Sequence, residues 1–383
     1  MKKIGIIGGT FDPIHIGHIE MARAAKKRFS LDSVIFIPGG NTPHKDARSV
    51  TPAKTRLDMV KAAVGDEFPV CGYEVEKESY SYTSDTLEHF KRKCPEDELY
   101  FIVGADSLDY MDHWHEPEVI FADAVIIAFG RDDFNVRQKA KSLEDKFFGK
   151  ILFANDKICD ISSTKIRLFA DMELDFRNYV PVTVYDFIKK NHMYEGYFSD
   201  MRKKAAEYEK ESRFIHTLGV CKMAVKMAQI FGEDIKKTYT AALLHDIAKN
   251  IPDDEMYEMC EKYGVELCDF EKKNPQVVHA KLGAYLAERD FNITDKEILD
   301  AIKWHTLGRC DMTRLEKIIF VADMAEEGRS FDGVENIRKA AFSDLDRAVL
   351  ECIKQTIDFN TSLGRSVYEG AYIIRDSLLK KLL

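Results

Sequence analysis

Gly8-Gly9-Thr10-Phe11-Asp12-Pro13-Ile14-His15-Ile16-Gly17-His18 follows directly on an apolar run at residues 4–7. A short apolar run broken by paired glycines reads as a buried strand ending in a turn. Gly8 and Gly9 carry no Cβ, so their backbone amides can approach a ligand that a side chain would block. Helix-forming residues follow Gly17, which puts a helix N-terminus over the same space, a natural seat for phosphate. His15 and His18 are three residues apart, so both can face one bound anion. Strand, glycine turn and helix are the opening unit of an α/β fold.

Further out, residues 34–37, 99–103, 124–129 and 151–153 read as buried strands, while 19–29, 54–64 and 83–93 carry helical periodicity. Such alternation implies a parallel sheet with helices on both faces. Ligands on such sheets bind beyond the carboxyl ends of the strands. After Met193 the strand-like runs stop. Residues 201–212 are charged and helix-prone, and 214–231, 238–249, 279–289, 294–303, 314–325, 344–360 and 368–382 all read as helix. The expected division is an α/β domain over 1–196 and an all-α domain over 197–383. The chain has 383 residues, of which 45% are hydrophobic, so each part can bury its own core.

Composition narrows the function classes. The net charge of −9 leaves no basic footprint, which argues against nucleic acid as a partner. No apolar stretch is long enough to span a membrane, and Met1-Lys2-Lys3-Ile4 does not open a signal peptide. Eight scattered cysteines form no C-x-x-C pair, so a reducing cytoplasm is the expected compartment. Whether the chain forms a homo-oligomer is left open.

A second hydroxyl-rich element lies downstream, Ile161-Ser162-Ser163-Thr164-Lys165-Ile166-Arg167. By itself Ser-Ser-Thr reads as a helix cap. Taken with H-x-G-H at 15–18, it resembles the I-S-S-T-x-I-R element of the H-x-G-H nucleotidyltransferase superfamily. The pieces between them resemble the NadD-like nicotinate-nucleotide adenylyltransferases: Pro43-His44-Lys45, Ser81-Tyr82-Thr83, Asp85-Thr86-Leu87, Gly104-Ala105-Asp106-Ser107, Trp114 and Arg131. The resemblance covers residues 1–195 and implies a Rossmann-like sheet. It also implies transfer of AMP from ATP to nicotinate mononucleotide, with Mg2+. On that pattern His15, His18, Lys45 and Arg167 are catalytic, and Gly8, Gly9, Thr10, Phe11, Ser162, Ser163 and Thr164 bind ATP. Lys45 and Arg131 would meet phosphates, Thr83 and Trp114 the pyridine ring, and Asp106 a ribose. On its own merits Trp114 reads equally as a half-buried core residue.

The helical part carries His216, His245-Asp246, His279, His305 and Asp323 on separate helix-like segments. Mixed imidazole and carboxylate donors suit iron, manganese or zinc, and a paired site activates water against phosphate esters or anhydrides. The arrangement resembles the HD-domain metal phosphohydrolases. Arg213-Phe214-Ile215-His216-Thr217, His279-Ala280-Lys281-Leu282-Gly283-Ala284, Trp304-His305-Thr306-Leu307-Gly308-Arg309 and Phe320-Val321-Ala322-Asp323 resemble the YqeK-like branch. That likeness covers about 200–383. It implies two metal ions, iron by the family pattern, and symmetrical hydrolysis of diadenosine tetraphosphate to two ADP. It also implies that Lys249, Thr306 and Arg309 contact substrate phosphates. Other nucleotides as substrate ((p)ppGpp, cyclic dinucleotides, dNTPs) and a non-catalytic nucleotide-sensing module stay open.

Overall fold

The computed structural model describes residues 1–40, 50–77, 79–130 and 134–382. The chain divides into two compact units, Met1–Glu195 and Gly196–Leu383. Among the described residues no helix is long and apolar enough to cross a membrane.

The first unit alternates strand and helix: β1 (Lys3–Gly9), α1 (Ile16–Arg28), β2 (Ser33–Pro38), α2 (Ala53–Val64), α3 (Thr83–Lys93), β3 (Glu98–Gly104), α4 (Pro117–Asp123), β4 (Ala124–Phe129), α5 (Phe134–Phe147), β5 (Ile151–Ala154), α6 (Ser163–Asp171) and α7 (Val182–Lys190). The five strands form one parallel sheet in the order β2-β1-β3-β4-β5. A parallel sheet is covered on both faces, so its strands read as unbroken apolar runs. In β4, Ile126, Ile127 and Ala128 are all fully buried. Each such isoleucine contributes roughly 1.5–3 kcal/mol by leaving water. The chain runs from β1 outward to β2, then returns to place β3 on β1's other side. That reversal opens a crevice between the carboxyl ends of β1 and β3.

The second unit is helical throughout: α8 (Tyr197–Ala206), α9 (Glu211–Phe231), α10 (Ile235–Leu244), α11 (Asp253–Tyr263), α12 (His279–Phe291), α13 (Lys296–Trp304), α14 (Arg314–Ala325), α15 (Val334–Ala341), α16 (Leu345–Ser362) and α17 (Glu369–Leu382). The helix-prone segment 201–212 is in fact broken between α8 and α9. There the buried Glu209 turns inward and accepts a hydrogen bond from the Thr217 hydroxyl at 2.7 Å. The helix expected over 238–249 starts at an Asp234 cap and stops at Leu244. It stops because the imidazole Nδ1–H of His245 donates to the Ala242 carbonyl at 2.7 Å, satisfying an acceptor at the helix end. Residues 245–250 then follow as turns. Helices α11 and α15 were not foreseen from periodicity.

Candidate nucleotide site and candidate metal centre

The crevice of the first unit is a cavity of about 640 Å3. Gly8, Gly9 and Thr10 enter it from the end of β1, His15 and His18 from the start of α1, and Ser162 and Ser163 from the start of α6. Thr83, Asp106 and Trp114 close the other side. The structure therefore brings ten of the expected residues around one space. Phe11, Thr164 and Arg167 stand beside it. Phe11 is buried with φ near +49°, and its ring meets His18 edge-on at 4.9 Å. Arg167 donates to the Asp12 carbonyl at 2.6 Å and the Thr164 hydroxyl at 3.2 Å. Lys45 and Arg131 lie outside the described residues.

The H-x-G-H spacing has a local cause. The rings of His15 and His18 stack with centroids 3.5 Å apart, and the His15 backbone N–H donates to His18 Nδ1 at 3.2 Å. That bond leaves the proton of a neutral His18 on Nε2. A Cβ on Gly17 would come within 3.0 Å of the Cys159 carbonyl and 3.2 Å of His15 Nδ1. A side chain there would press on the His15 ring and the Cys159 carbonyl, which glycine avoids. Burial pushes the His15 imidazole down to about 4; burial and then His15 itself push His18 well below the usual range. Both rings are uncharged at neutral pH, and His15 Nδ1 is buried without a hydrogen-bond partner.

The second motif, together with residues outside any motif, holds this loop in place. Ser162 caps α6, accepting from the Lys165 N–H at 3.2 Å, and the Ser163 hydroxyl donates to the Pro13 carbonyl at 2.8 Å. The buried Arg56 donates to the carbonyls of Thr10, Gly40 and Thr51. Asp12 accepts from the Tyr194 hydroxyl at 2.9 Å and the Thr51 N–H at 3.2 Å. Glu74, also unforeseen, lines the cavity and accepts from the Thr86 hydroxyl at 2.7 Å, its carboxyl pushed up by burial. Trp114 packs edge-on against Phe101 while one side lines the cavity, so it serves the core and the crevice together.

In the second unit the six expected ligands come together, with the four histidines around Asp246. Its Oδ1 lies 3.1 Å from His279 Nε2 and 3.7 Å from His305 Nε2. Its Oδ2 lies 3.4 Å from His245 Nε2 and 3.9 Å from His216 Nε2. His216 Nε2 is also 3.0 Å from Asp323 Oδ1. Ligand atoms of His216, His245 and Asp323 fall within 4.8 Å of one another, as do those of His245, Asp246 and His305. His245 belongs to both groups, and the Asp246 carboxylate turns Oδ1 toward His279 and His305 and Oδ2 toward His245 and His216. Burial alone would raise the Asp246 carboxyl, but the imidazoles of His245, His279 and His305 outweigh it and hold it well below the usual range.

The histidine tautomers are fixed by the fold. His245 and His305 each end a helix, α10 and α13, and each donates Nδ1–H to the carbonyl three residues back, Ala242 and Ile302, at 2.7 Å. Their Nε2 atoms are left facing the cluster. Burial lowers the His245 imidazole, but Asp246 and Asp323 outweigh it and raise it to about 9, so a cation there would take the place of a proton. The Nε2 of His245 is buried with no hydrogen-bond partner, an arrangement that fits a cation. Glu326, 5% exposed, sets His216 the same way, its Oε1 3.1 Å from His216 Nδ1. Lys249 reaches His279 Nδ1 at 3.2 Å and the Gln276 carbonyl at 3.0 Å. Thr306 is half-buried in the turn after His305. Arg309 is drawn elsewhere: Glu316 accepts from it at 2.5 and 3.2 Å. Arg213 and Arg329 were not singled out as site residues, yet they pair with Asp246 at 3.0 Å and Asp323 at 2.5 Å. Arg329 and Glu326 follow Asp323 within two turns, a charge pattern that could have marked them.

Residues 6–169 match the cytidylyltransferase-like family model, and residues 213–328 match that of the HD domain. A probable nicotinate-nucleotide adenylyltransferase of Clostridium botulinum (strain Okra / Type B1) is 44% identical over 201 residues, 51% of this chain and 100% of that protein. The crystal structure of a predicted HD superfamily hydrolase involved in NAD metabolism, from Clostridium acetobutylicum, is 36% identical. It covers 49% of this chain and 98% of its own, with a TM-score of 0.47.

Proposed function

The chain belongs to the nicotinate-nucleotide adenylyltransferase family and carries an HD domain in its second unit, and we propose from this that it is a bifunctional enzyme of adenylate chemistry. The first unit transfers AMP from ATP to nicotinate mononucleotide. A phosphate oxygen of the mononucleotide forms a bond to the α-phosphorus of ATP, the α–β anhydride bond breaks, and pyrophosphate leaves. Mg2+ enters with ATP as part of the substrate. No protein nucleophile is needed; the reaction calls for alignment and for donors aimed at the oxygens that gain charge. His18 Nε2–H, His15 and the amides of the Gly8–Thr10 turn supply these, with Arg167 beside them. The observation that carries this reading is that glycine turn, both histidines and the α6 cap share one cavity with Thr83, Asp106 and Trp114. Incubation with ATP, Mg2+ and nicotinate mononucleotide, with products identified by chromatography, tests it. Deamido-NAD and pyrophosphate are expected, and their absence ends the assignment.

The second unit hydrolyses diadenosine tetraphosphate symmetrically to two ADP. The supporting observation is the divided Asp246 carboxylate with an uncommitted nitrogen on His245. His216, His245 and Asp323 would hold one divalent ion, His279 and His305 the other, and Asp246 both; the donor set suits iron or manganese. Bound there, the ions would activate water and neutralise phosphate charge. Lys249 orients His279 and adds positive charge beside it. The test is a panel of dinucleoside polyphosphates, (p)ppGpp, cyclic dinucleotides and dNTPs, given to the iron-loaded chain under reducing conditions, with Asp246→Ala as control. ADP alone from diadenosine tetraphosphate is the expected result. Turnover of another nucleotide would reassign the substrate, and no turnover at all would leave a nucleotide-sensing module.

A further inference from the structure

A second cavity, of about 410 Å3, opens beside His216 and is lined by Lys210, Ser212, Arg213, Asn250 and Arg329. We propose that this cavity is the seat of a phosphoanhydride chain, and that Lys210, Arg213 and Arg329, with no part for Arg309, are the cations that bind it. The inference rests on the phosphohydrolase reading of the adjoining centre and supplies the subsite that reading lacks.

Charge decides the ligand class. Three cations line the cavity against one carboxylate, Glu326, and both oxygens of Glu326 are already taken. Oε1 faces His216 Nδ1 at 3.1 Å and Oε2 accepts from the Gly328 N–H at 2.6 Å. Arg213 spends one N–H on Asp246, and Arg329 spends two on Asp323. A guanidinium has five donors, so each keeps some for an anion in the cavity it lines. A carboxylate that shares its charge with a divalent ion also pulls less on its arginine. Among the described residues, Lys210 makes no ion pair. Arg309, by contrast, is neutralised by Glu316, whose side chain is 1% exposed, and stands 3.6 Å from Asp300. Moving it to a substrate would strand a buried carboxylate without its partner.

The cations come from separate places, Lys210 and Arg213 at the start of α9 and Arg329 beyond the end of α14. Spread along a cavity of this size, they fit a run of phosphates better than a single one. Asn250 and Ser212 add neutral donors between them.

The test uses the manganese-loaded full chain titrated calorimetrically with inorganic tripolyphosphate, with orthophosphate as the single-phosphate comparison. Lys210→Ala and Arg329→Lys are each expected to weaken tripolyphosphate about tenfold or more. Bound manganese, measured on the same samples, should be unchanged in Lys210→Ala. Any anion taken up by the first unit is common to all samples and cancels in the comparison. Lys210 touches no ligand of the centre, so its variant isolates the anion from the metal. Wild-type affinity in both variants overturns the proposal, as does loss of manganese together with the anion in Lys210→Ala. Orthophosphate binding as tightly as tripolyphosphate would reject the chain. If the variants behave as expected but diadenosine tetraphosphate is not cleaved, the substrate assignment falls and the anion subsite stands.

Discussion

His15 and His18 press two uncharged imidazoles together where a polyphosphate would sit. With His18 Nδ1 occupied by the His15 N–H, Nε2–H is the donor left for the reacting phosphate. His18→Ala is therefore expected to lower kcat by about 10²–10³-fold while ATP affinity, measured calorimetrically, changes little. Full turnover in that variant would remove His18 from the chemistry. The same burial makes stability depend on pH. Above pH 6.5, His15 is neutral in both folded and unfolded chains and contributes nothing to the slope. Below 6.5 the unfolded chain takes up a proton that the folded imidazole, at about 4, refuses. Stability should fall across pH 6.5 to 4 by roughly 3 kcal/mol from this group. Denaturant unfolding of His15→Gln against the parent at pH 7 and pH 5 measures the difference, and an unchanged slope contradicts it. The pair was legible in the sequence because its spacing and its glycine are local. Arg56 and Glu74 were not, because neither sits in a pattern and their partners, Thr10, Gly40 and Thr51 for the one and Thr86 for the other, stand at no recognisable spacing from them.

At the scale of elements, the metal cluster depends on where helices stop and how closely they approach. The periodicity over 238–249 ran through His245 because turn residues there, Ile247 and Ala248, are as apolar as helix residues. What ended α10 was a side-chain bond, His245 to Ala242, and no hydropathy pattern contains it. Close approach shows on α9 at Gly219. A Cβ there would lie 2.5 Å from Glu326 Oε2. Helix propensity alone favours alanine over glycine by about 1 kcal/mol. Here sterics win, because Glu326 is buried between Gly219 and Gly328 and is pinned to His216 and to the Gly328 N–H. Gly219→Ala is expected to displace the carboxylate that orients His216 and weaken metal binding about 10–100-fold. A chelator competition assay reads this directly. Unchanged affinity with raised thermal stability would mean that Glu326 yields and does not position the ligand.

For the molecule as a whole, the change from alternating strand and helix to helix alone was readable, since the two architectures have different apolar periods. Five parallel strands and a helical second unit follow from it. The joining of His216, His245, Asp246, His279, His305 and Asp323 into one centre was legible only through family likeness. Those residues come from segments whose packing no local pattern states. Because each unit has its own core, metal should act on one of them alone. An ion that binds only the folded state adds about 2.7 kcal/mol at a hundredfold excess over its Kd. For a unit of this size that is a shift of roughly 5–10 °C. Chelation of the metal-loaded chain should therefore lower one calorimetric transition by that amount and leave the other in place. The shift should vanish in Asp246→Ala, because Asp246 faces both clusters. With the chelator removed and Mg2+ restored, dinucleotide synthesis should continue at its former rate. If both transitions move, or if the Asp246→Ala variant still responds, the stabilising ion is held somewhere other than the Asp246 cluster.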